Sequence, residues 1–188
     1  MPVQQPRIFN CGQYHPYWLN GMQNPNCDRL SKLMMDFKDP ENNNHHFSVN
    51  HFSNLILECV RGYAFNDTAI TQLPFTVTVT PSHSADSVSP ALMNIAMNLC
   101  EQIPLWSYFQ FLRRHTTVPS SHREGGQRNM ATHLDSMVVE NKVFVQNRNI
   151  IILDDVTTSG STLSACYHLL RDCNAGVLMP LALLETTY

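Results

Sequence analysis

Charged residues are scarce in this 188-residue chain, at 14% of the sequence, and the net charge is only −3. Soluble domains usually carry roughly 25% charged residues, so charge-rich disorder and a charge-laced coiled coil are both excluded. Long hydrophobic runs are also missing, since no apolar stretch approaches the ~20 residues that cross a bilayer. The opening residues MPVQQPRIFN lack the apolar core of a secretory signal, and we therefore expect a cytoplasmic protein.

Paired cysteines are missing as well. The chain has six cysteines, but none of them forms a CxxC pair. Their positions favour buried free thiols in a reducing compartment over a disulfide framework. Cys11 and Cys27, with His15 nearby, are an alternative set of zinc ligands, although their spacing matches no common zinc finger.

Two familiar phosphate-binding motifs do not occur. The absence of GxxxxGK[ST] excludes a P-loop nucleoside triphosphatase, and no GxGxxG follows a predicted strand. Positive charge is concentrated between residues 113 and 148, where six basic residues stand against three acidic ones. This local excess indicates either an anion site or a solvated loop face.

The hydrophobic pattern predicts strands that alternate with helices. Residues 75–80 alternate between apolar and polar, as in a strand, and Ser89 with Pro90 predicts the start of a helix. The continuous apolar run at 149–153 is typical of a strand covered on both faces. Further strands are predicted at 105–112, 143–145 and 177–184. Further helices are predicted from a cap at Asn26 or Asp28 through about Phe37, from Ser48 onward, and at 161–174. This order predicts an α/β fold with a mainly parallel central sheet flanked by helices.

The stretch that indicates chemistry is IIILDDVTTSGSTL, at residues 150–163. A buried strand brings Asp154 and Asp155 to its carboxyl end, the edge at which open α/β sheets bind ligands. Five hydroxyl side chains and one glycine follow and lead into a helix N-terminus, where backbone N–H groups hold phosphate without a cation. Carboxylates beside such a loop accept hydrogen bonds from a sugar diol and help to hold hydrated Mg²⁺. The motif therefore predicts a site for a phosphorylated sugar.

With these residues the chain resembles the type I phosphoribosyltransferases, whose signature is a hydrophobic strand, two acidic residues and a Thr/Ser/Gly loop. LDDVTTSGSTL matches that signature at every position. The resemblance implies one phosphoribosyltransferase-like domain over residues 1–188, with a small N-terminal hood within 1–47 and a core at 70–188. It also implies an enzyme that binds phosphoribosyl pyrophosphate with Mg²⁺ and transfers the phosphoribosyl group to a nitrogen acceptor such as a nucleobase.

The resemblance gives each group of candidate site residues a role. Asp154 and Asp155 are the catalytic pair, which meets the ribose hydroxyls and holds Mg²⁺ directly or through water. The 5-phosphate is assigned to the signature loop, made of Thr157, Thr158, Ser159, Gly160, Ser161 and Thr162. The pyrophosphate is assigned to a turn and a long loop, with Ser82, His83 and Ser84 in the turn and Arg123 and Arg128 in the loop. His122, in the same loop, is a candidate acid or base.

Within this family the chain is most similar to the ComF-like (competence protein F) branch, on residues 122–130 (HREGGQRNM) and 35–38 (MDFK). It lacks the cysteine pairs of that branch, and its turn at 81–86 has no basic residue beyond His83. A protein that senses phosphoribosyl pyrophosphate or a nucleotide is therefore one alternative, and an accessory factor in DNA uptake or processing is another. Direct nucleic-acid binding and a membrane partner are not expected, and a homodimer is compatible with the pattern.

Overall fold

The computed structural model describes residues 5–119 and 130–188. The α-helices in these residues are α1 (Arg29–Lys38), α2 (His45–Arg61), α3 (Pro90–Gln102), α4 (Met130–Ser136) and α5 (Ser161–Arg171). The strands are β1 (Phe9–Asn10), β2 (Gln13–Tyr14), β3 (Trp18–Leu19), β4 (Met22–Gln23), β5 (Ala64–Phe65), β6 (Thr68–Ala69), β7 (Phe75–Val79), β8 (Trp106–Tyr108), β9 (Leu112–Arg114), β10 (Met137–Val139), β11 (Ile150–Thr157) and β12 (Leu178–Thr186). Two 3₁₀ turns lie at Ile70–Gln72 and Lys142–Phe144.

The central sheet is parallel, as the sequence predicts. Its strand order is β1, β12, β11, β7 and β8, and β2 adds a second short segment beside β12. Leu153 of β11 lies opposite Leu181 of β12 on one side and Val79 of β7 on the other. Strands β11 and β12 are therefore central, and their carboxyl ends point to the same edge. The predicted α/β fold class is confirmed.

Side chains of β11 face two separate hydrophobic cores. Ile151 and Leu153 join a cluster with α1, α2 and α3, whereas Ile150 and Ile152 join a cluster with α5 and strands β9 and β10. Residues 150–153 are fully buried, because successive side chains of a strand point to opposite faces and both faces are covered. Because elements cover both faces of the sheet, residues 150–153 are all apolar and do not alternate with polar residues.

A capping residue is suggested by the sequence for three helices, and two of them are capped as expected. Asp28 caps α1, with its Oδ1 accepting from the N–H of Ser31 at 2.8 Å, and Ser89 caps α3 ahead of Pro90. Helix α2 begins at His45, before the predicted Ser48. The Ser48 N–H instead donates to the Asn44 carbonyl at 2.9 Å, which makes Ser48 part of the first helical turn.

Two predicted strands differ from the structure. The run at 105–112 divides into β8 and β9, because the Gln110 side chain bonds to Val79: its Oε1 accepts from the N–H and its Nε2 donates to the carbonyl. A side chain thus replaces the backbone partner that a continuous strand would supply. The predicted strand at 143–145 is wrong, since Lys142–Phe144 forms a 3₁₀ turn after Asn141, whose φ is +52°. Strand β9 instead pairs antiparallel with β10.

The N-terminal segment is more ordered than its aperiodic sequence indicates. Strands β1 and β2 extend the edge of the central sheet beside β12, and β3 pairs antiparallel with β4. Asn20 and Gly21 form the turn between β3 and β4, both with positive φ, as a two-residue hairpin turn requires. Strands of two residues are too short to show periodicity, so the pattern could not reveal them. Among the described residues, no helix is long and apolar enough to cross a membrane.

Candidate functional site

A cavity of about 720 Å³ opens at the carboxyl edge of the central sheet. Its floor is formed by the end of β11, with Asp154 and Asp155, and by the turn that follows β7. One wall comes from the start of α5, and the other from the N-terminal segment and α1. Polar groups of the motif and residues far from it in sequence therefore meet around a single space.

Asp154 is held from two sides on the cavity floor. Its Oδ1 accepts from the Thr80 hydroxyl at 2.8 Å and from the N–H of Asp155 at 3.0 Å. Burial, together with the neighbouring Asp155 charge, raises the pKa of Asp154 to about 7. A cation or a hydrogen-bond donor that enters the cavity would favour the ionised form of this carboxyl group.

Asp155 faces the opposite wall. Its Oδ2 lies 3.2 Å from the Nζ of Lys38, the last residue of α1, and its Oδ1 accepts from the N–H of Val156. The two neighbouring acids therefore differ in surroundings, because Asp154 contacts Thr80, just after β7, whereas Asp155 contacts Lys38 of α1. The sequence had marked Lys38 only as part of the MDFK segment.

The signature loop contributes only two of its side chains to the described lining of the cavity. Thr158 and Thr162 line the cavity, while Thr157 is buried at the end of β11 opposite Glu185. Within the described residues, Ser159, Gly160 and Ser161 are not part of the lining; the hydroxyls of Ser159 and Ser161 lie 2.9 Å apart. Gly160 is the N-cap of α5 and has no side chain to cap the helix; the Ser161 N–H donates instead to the Ser159 hydroxyl oxygen at 3.4 Å.

Gly160 is favoured by its backbone conformation and lies close to Ile8. Its φ is +72°, in the left-handed region that favours glycine. A Cβ at this position would overlap the Cδ1 of Ile8, the far end of a flexible side chain, which would have to shift. The N-terminal segment therefore packs directly against the signature loop.

The turn after β7 places two of its three predicted residues at the cavity. Ser82 and His83 line it, whereas Ser84 is not among the described lining residues. The Ser82 N–H donates to the Ser87 carbonyl at 2.9 Å, and the His83 carbonyl accepts from the Val118 N–H at 2.9 Å. Arg123 and Arg128, predicted for the pyrophosphate, and His122 lie outside the described residues.

Arg114 is a cavity residue to which the sequence interpretation gave no role. Its side chain is almost wholly buried, and its Nε donates to the Ser82 carbonyl at 2.6 Å. Its other nitrogens contact the Ser136 hydroxyl and, at 3.2 Å, the Nδ1 of His133. The His133 Nε2 in turn lies 3.3 Å from the Thr162 hydroxyl, so the turn after β7 and the start of α5 are joined through Arg114 and His133.

The neighbouring Arg113 has a different environment. It is exposed at the surface, and it pairs with Asp86 at 2.8 Å and with Glu140 at 2.7 Å. Part of the positive excess between residues 113 and 148 is therefore compensated locally. The two adjacent arginines alternate across β9, which turns one toward acidic surface groups and the other toward the cavity.

Aromatic side chains line the cavity on the side of the N-terminal segment. Tyr14, Tyr17 and Trp18 belong to that segment, Tyr188 follows β12, and the aliphatic side chain of Met35 also lines the cavity. Trp18 lies on the hairpin of β3 and β4 and is 64% exposed. The only sequence signal for this wall was the abundance of aromatic residues in a segment without periodicity.

Among the described residues, no group of three or more His, Cys, Asp or Glu side chains is arranged to hold a metal ion. Cys11 and Cys27 therefore gain no third ligand there. The acidic pair alone supplies two carboxylates, and any further ligands at that edge would have to come from water or from a bound ligand.

Comparison with known proteins identifies the fold. No protein-family model matches the chain, and no curated protein is similar to it in sequence. The structure is similar to an allosteric regulatory enzyme of purine biosynthesis, with a TM-score of 0.52 and 19% identity, over 85% of this chain and 31% of that one. The chain has the α/β fold of that enzyme.

Two further solved structures are similar at lower scores. One is the glutamine phosphoribosylpyrophosphate amidotransferase of B. subtilis, with a TM-score of 0.49 and 18% identity over 82% of this chain and 31% of that one. The other is the adenine phosphoribosyltransferase of Leishmania tarentolae, with a TM-score of 0.46 and 11% identity over 85% and 88%. The chain spans about a third of the length of the regulatory enzyme and of the amidotransferase.

Proposed function

We propose that this protein binds phosphoribosyl pyrophosphate together with Mg²⁺ and transfers its phosphoribosyl group to a nitrogen acceptor. The observation that carries the proposal is the convergence on one cavity of an acidic pair, a hydroxyl-rich loop at a helix start and a turn held by a buried arginine. Each group suits a different part of the ligand. The cavity volume, about 720 Å³, falls within the range typical of small-molecule sites.

The 5-phosphate is proposed to bind at the start of α5. Thr158 and Thr162 line the cavity there, and the N–H groups of the first turn lie beside them in the field of the helix dipole. Ser159, Gly160 and Ser161 act through the backbone in this proposal, since their side chains are not part of the described lining. Thr157 supports the loop from its buried position in β11.

The acidic pair is proposed to bind the ribose hydroxyls and a hydrated Mg²⁺. Two partly buried carboxylates at a sheet edge, with space for water, fit the oxygen ligands and partial hydration that Mg²⁺ prefers. When bound, Mg²⁺ would neutralise charge on the pyrophosphate. Asp154 and Asp155 orient the sugar by accepting hydrogen bonds from its hydroxyls, which fixes the position of C1 for attack.

The pyrophosphate is proposed to lie against the turn after β7. Ser82 and His83 offer donors there, and Arg114 supplies the positive charge that the turn itself lacks. Arg123 and Arg128 remain predictions for the same role. In the reaction the acceptor nitrogen attacks C1, the bond from C1 to the pyrophosphate oxygen breaks, and pyrophosphate leaves with the electron pair while the nitrogen loses a proton.

The aromatic wall supports a planar acceptor such as a nucleobase. Tyr14, Tyr17 and Trp18 face the cavity beside the acidic pair, and flat rings stack favourably on aromatic side chains. The described part of the wall offers aromatic rings and phenol hydroxyls, which suit a flat ring with polar edge groups.

The test is a double substitution of the acidic pair, Asp154→Asn with Asp155→Asn. Both amides keep the size of the side chains, so the fold should persist while Mg²⁺-dependent binding of phosphoribosyl pyrophosphate is lost. Calorimetry with the wild-type and double-variant chains measures this, with Arg113→Gln as a surface control that should bind normally. Unchanged affinity in the double variant contradicts the proposal.

A second candidate is binding of phosphoribosyl pyrophosphate without transfer, as in a sensor. One observation favours it: the turn after β7 has no lysine or arginine, and Arg114 is engaged with the protein from three of its nitrogens. Release of pyrophosphate with Mg²⁺ and a panel of nucleobases separates the two candidates. The ComF-like branch, a role in DNA uptake or processing, a homodimer and a cytoplasmic location remain predictions from the sequence.

A further inference from the structure

A lysine from the N-terminal part of the chain is paired with the acidic centre of the cavity. Lys38 ends α1, and its Nζ lies 3.2 Å from the Oδ2 of Asp155. Only 33% of the lysine side chain and 27% of the aspartate side chain are exposed, so water screens this ion pair less than a pair at the open surface. Both residues line the cavity.

The Lys38–Asp155 ion pair occupies a carboxylate oxygen at the place where a ligand is proposed to bind. Three carboxylate oxygens of the pair already accept contacts from the protein: Asp154 Oδ1 from Thr80, Asp155 Oδ1 from the Val156 N–H and Asp155 Oδ2 from Lys38. The first two hold the carboxylates in place from the sheet. The third comes from a long flexible side chain, which can move without disturbing the sheet.

We propose that the Lys38 ammonium group competes with a divalent cation for Asp155, so that cation binding requires Lys38 to leave the carboxylate. Two like charges on one carboxylate oxygen repel, and hydration stabilises the released ammonium group at the mouth of the cavity. The proposal deepens the proposed function and rests on it, because it takes the acidic pair as the cation site. Lys38 is a positioning residue here, since it acts through Asp155.

The same lysine connects the acidic pair to the aromatic wall. Helix α1 carries Met35 at the cavity, and its Ser31 hydroxyl accepts from the His15 N–H at 2.9 Å, next to Tyr14. Release of Lys38 therefore removes the ion pair that ties the end of α1 to β11. Among the described contacts that still join α1 to the wall are the Ser31–His15 hydrogen bond and apolar packing.

The test is a titration of the full chain with Mn²⁺ alone, followed by the electron paramagnetic resonance signal of the free ion. Lys38→Met should bind Mn²⁺ about fivefold more tightly than wild type, the ratio expected for loss of a partly exposed ion pair. Lys38→Arg should stay within twofold of wild type, because it keeps a competing cation. Adding Asp155→Asn to Lys38→Met should cancel the gain.

Lys32→Met is the matched control, because it removes the same charge from an exposed position on α1. An equal gain in that variant, or Mn²⁺ affinity within twofold of wild type in Lys38→Met, overturns the inference. Failure of every variant to bind Mn²⁺ overturns it as well. Circular dichroism melts confirm that the compared variants are folded.

A parallel titration with phosphoribosyl pyrophosphate and Mg²⁺ separates the two proposals. Tighter Mn²⁺ binding in Lys38→Met without binding of phosphoribosyl pyrophosphate in any variant contradicts the proposed function but supports competition at Asp155. Normal binding of phosphoribosyl pyrophosphate with no effect of Lys38→Met on Mn²⁺ contradicts only the competition.

Discussion

Substitution of Gly160 by alanine tests how the N-terminal segment and the signature loop are packed together. The backbone at Gly160 has a φ of +72°, which costs a residue with a Cβ about 1–2 kcal/mol. The new Cβ would also overlap the Ile8 Cδ1; because that atom is the far end of a flexible side chain, a shift of the side chain relieves the overlap at a cost of about 1 kcal/mol. Reduced freedom of the unfolded chain returns less than about 1 kcal/mol. We expect Gly160→Ala to lower the free energy of unfolding by about 2 kcal/mol.

Gly21 provides a matched control. Its φ is +79°, but nothing lies within 4 Å of a Cβ built there, so Gly21→Ala carries the conformational cost without the clash. We expect Gly21→Ala to lower the free energy of unfolding by about 1 kcal/mol. The difference between the two variants therefore measures the contact with Ile8.

Ile8→Val isolates that contact. Valine lacks the Cδ1 atom, and the Ile8 Cγ1 lies 3.9 Å from the alanine Cβ, which is an ordinary contact. In urea denaturation, Gly160→Ala should be about 1 kcal/mol less destabilising in the Ile8→Val background than in wild type. Equal effects of Gly160→Ala and Gly21→Ala, or no relief from Ile8→Val, would refute the packing argument.

Two further predictions concern the cavity. Arg114→Lys should lower the free energy of unfolding by about 1–3 kcal/mol, because an ammonium group cannot satisfy the Ser82 carbonyl, Ser136 and His133 together. A free energy of unfolding equal to that of wild type in urea denaturation contradicts this prediction. Burial raises the pKa of Asp154 to about 7 from its ordinary 3.8, so the folded chain keeps a proton that the unfolded chain loses. The free energy of unfolding in metal-free buffer should therefore fall from about pH 4 to about pH 7 and then level off. The urea midpoint, measured across this pH range, should change less with pH in Asp154→Asn than in wild type. An equal pH dependence of the midpoint in both chains contradicts the prediction.

Local chemistry predicted the elements that depend on few neighbours. Asp28 and Ser89 cap helices because a side-chain oxygen satisfies an N–H three residues ahead, which is a contact within one turn. The apolar run of β11 predicted a strand covered on both faces, and the structure confirms it. The run at 105–112 misled the prediction, since the Gln110 side chain that ends β8 acts on β7, far away in sequence.

The candidate site also combines residues that the sequence predicted with one that it did not. The motif predicted Asp154 and Asp155 at a strand end and hydroxyls at a helix start, because these residues are consecutive. Arg114 was visible only as one charge in a basic stretch, and its neighbour Arg113 is identical in type. Which of the two faces the cavity depends on the register of β9 with β10, which sequence spacing does not specify.

The sequence by itself therefore determined the α/β fold class, the central strand and the acidic and hydroxyl groups at its end. Periodicity, capping and a contiguous motif are local properties, and one segment of chain contains all the information they need. Tertiary structure alone decided that Lys38 meets Asp155, that Ile8 packs against Gly160 and that aromatic residues of the N-terminal segment form a wall of the cavity. These contacts join residues more than a hundred positions apart, and they arise from the packing of the N-terminal segment and α1 against the edge of the sheet.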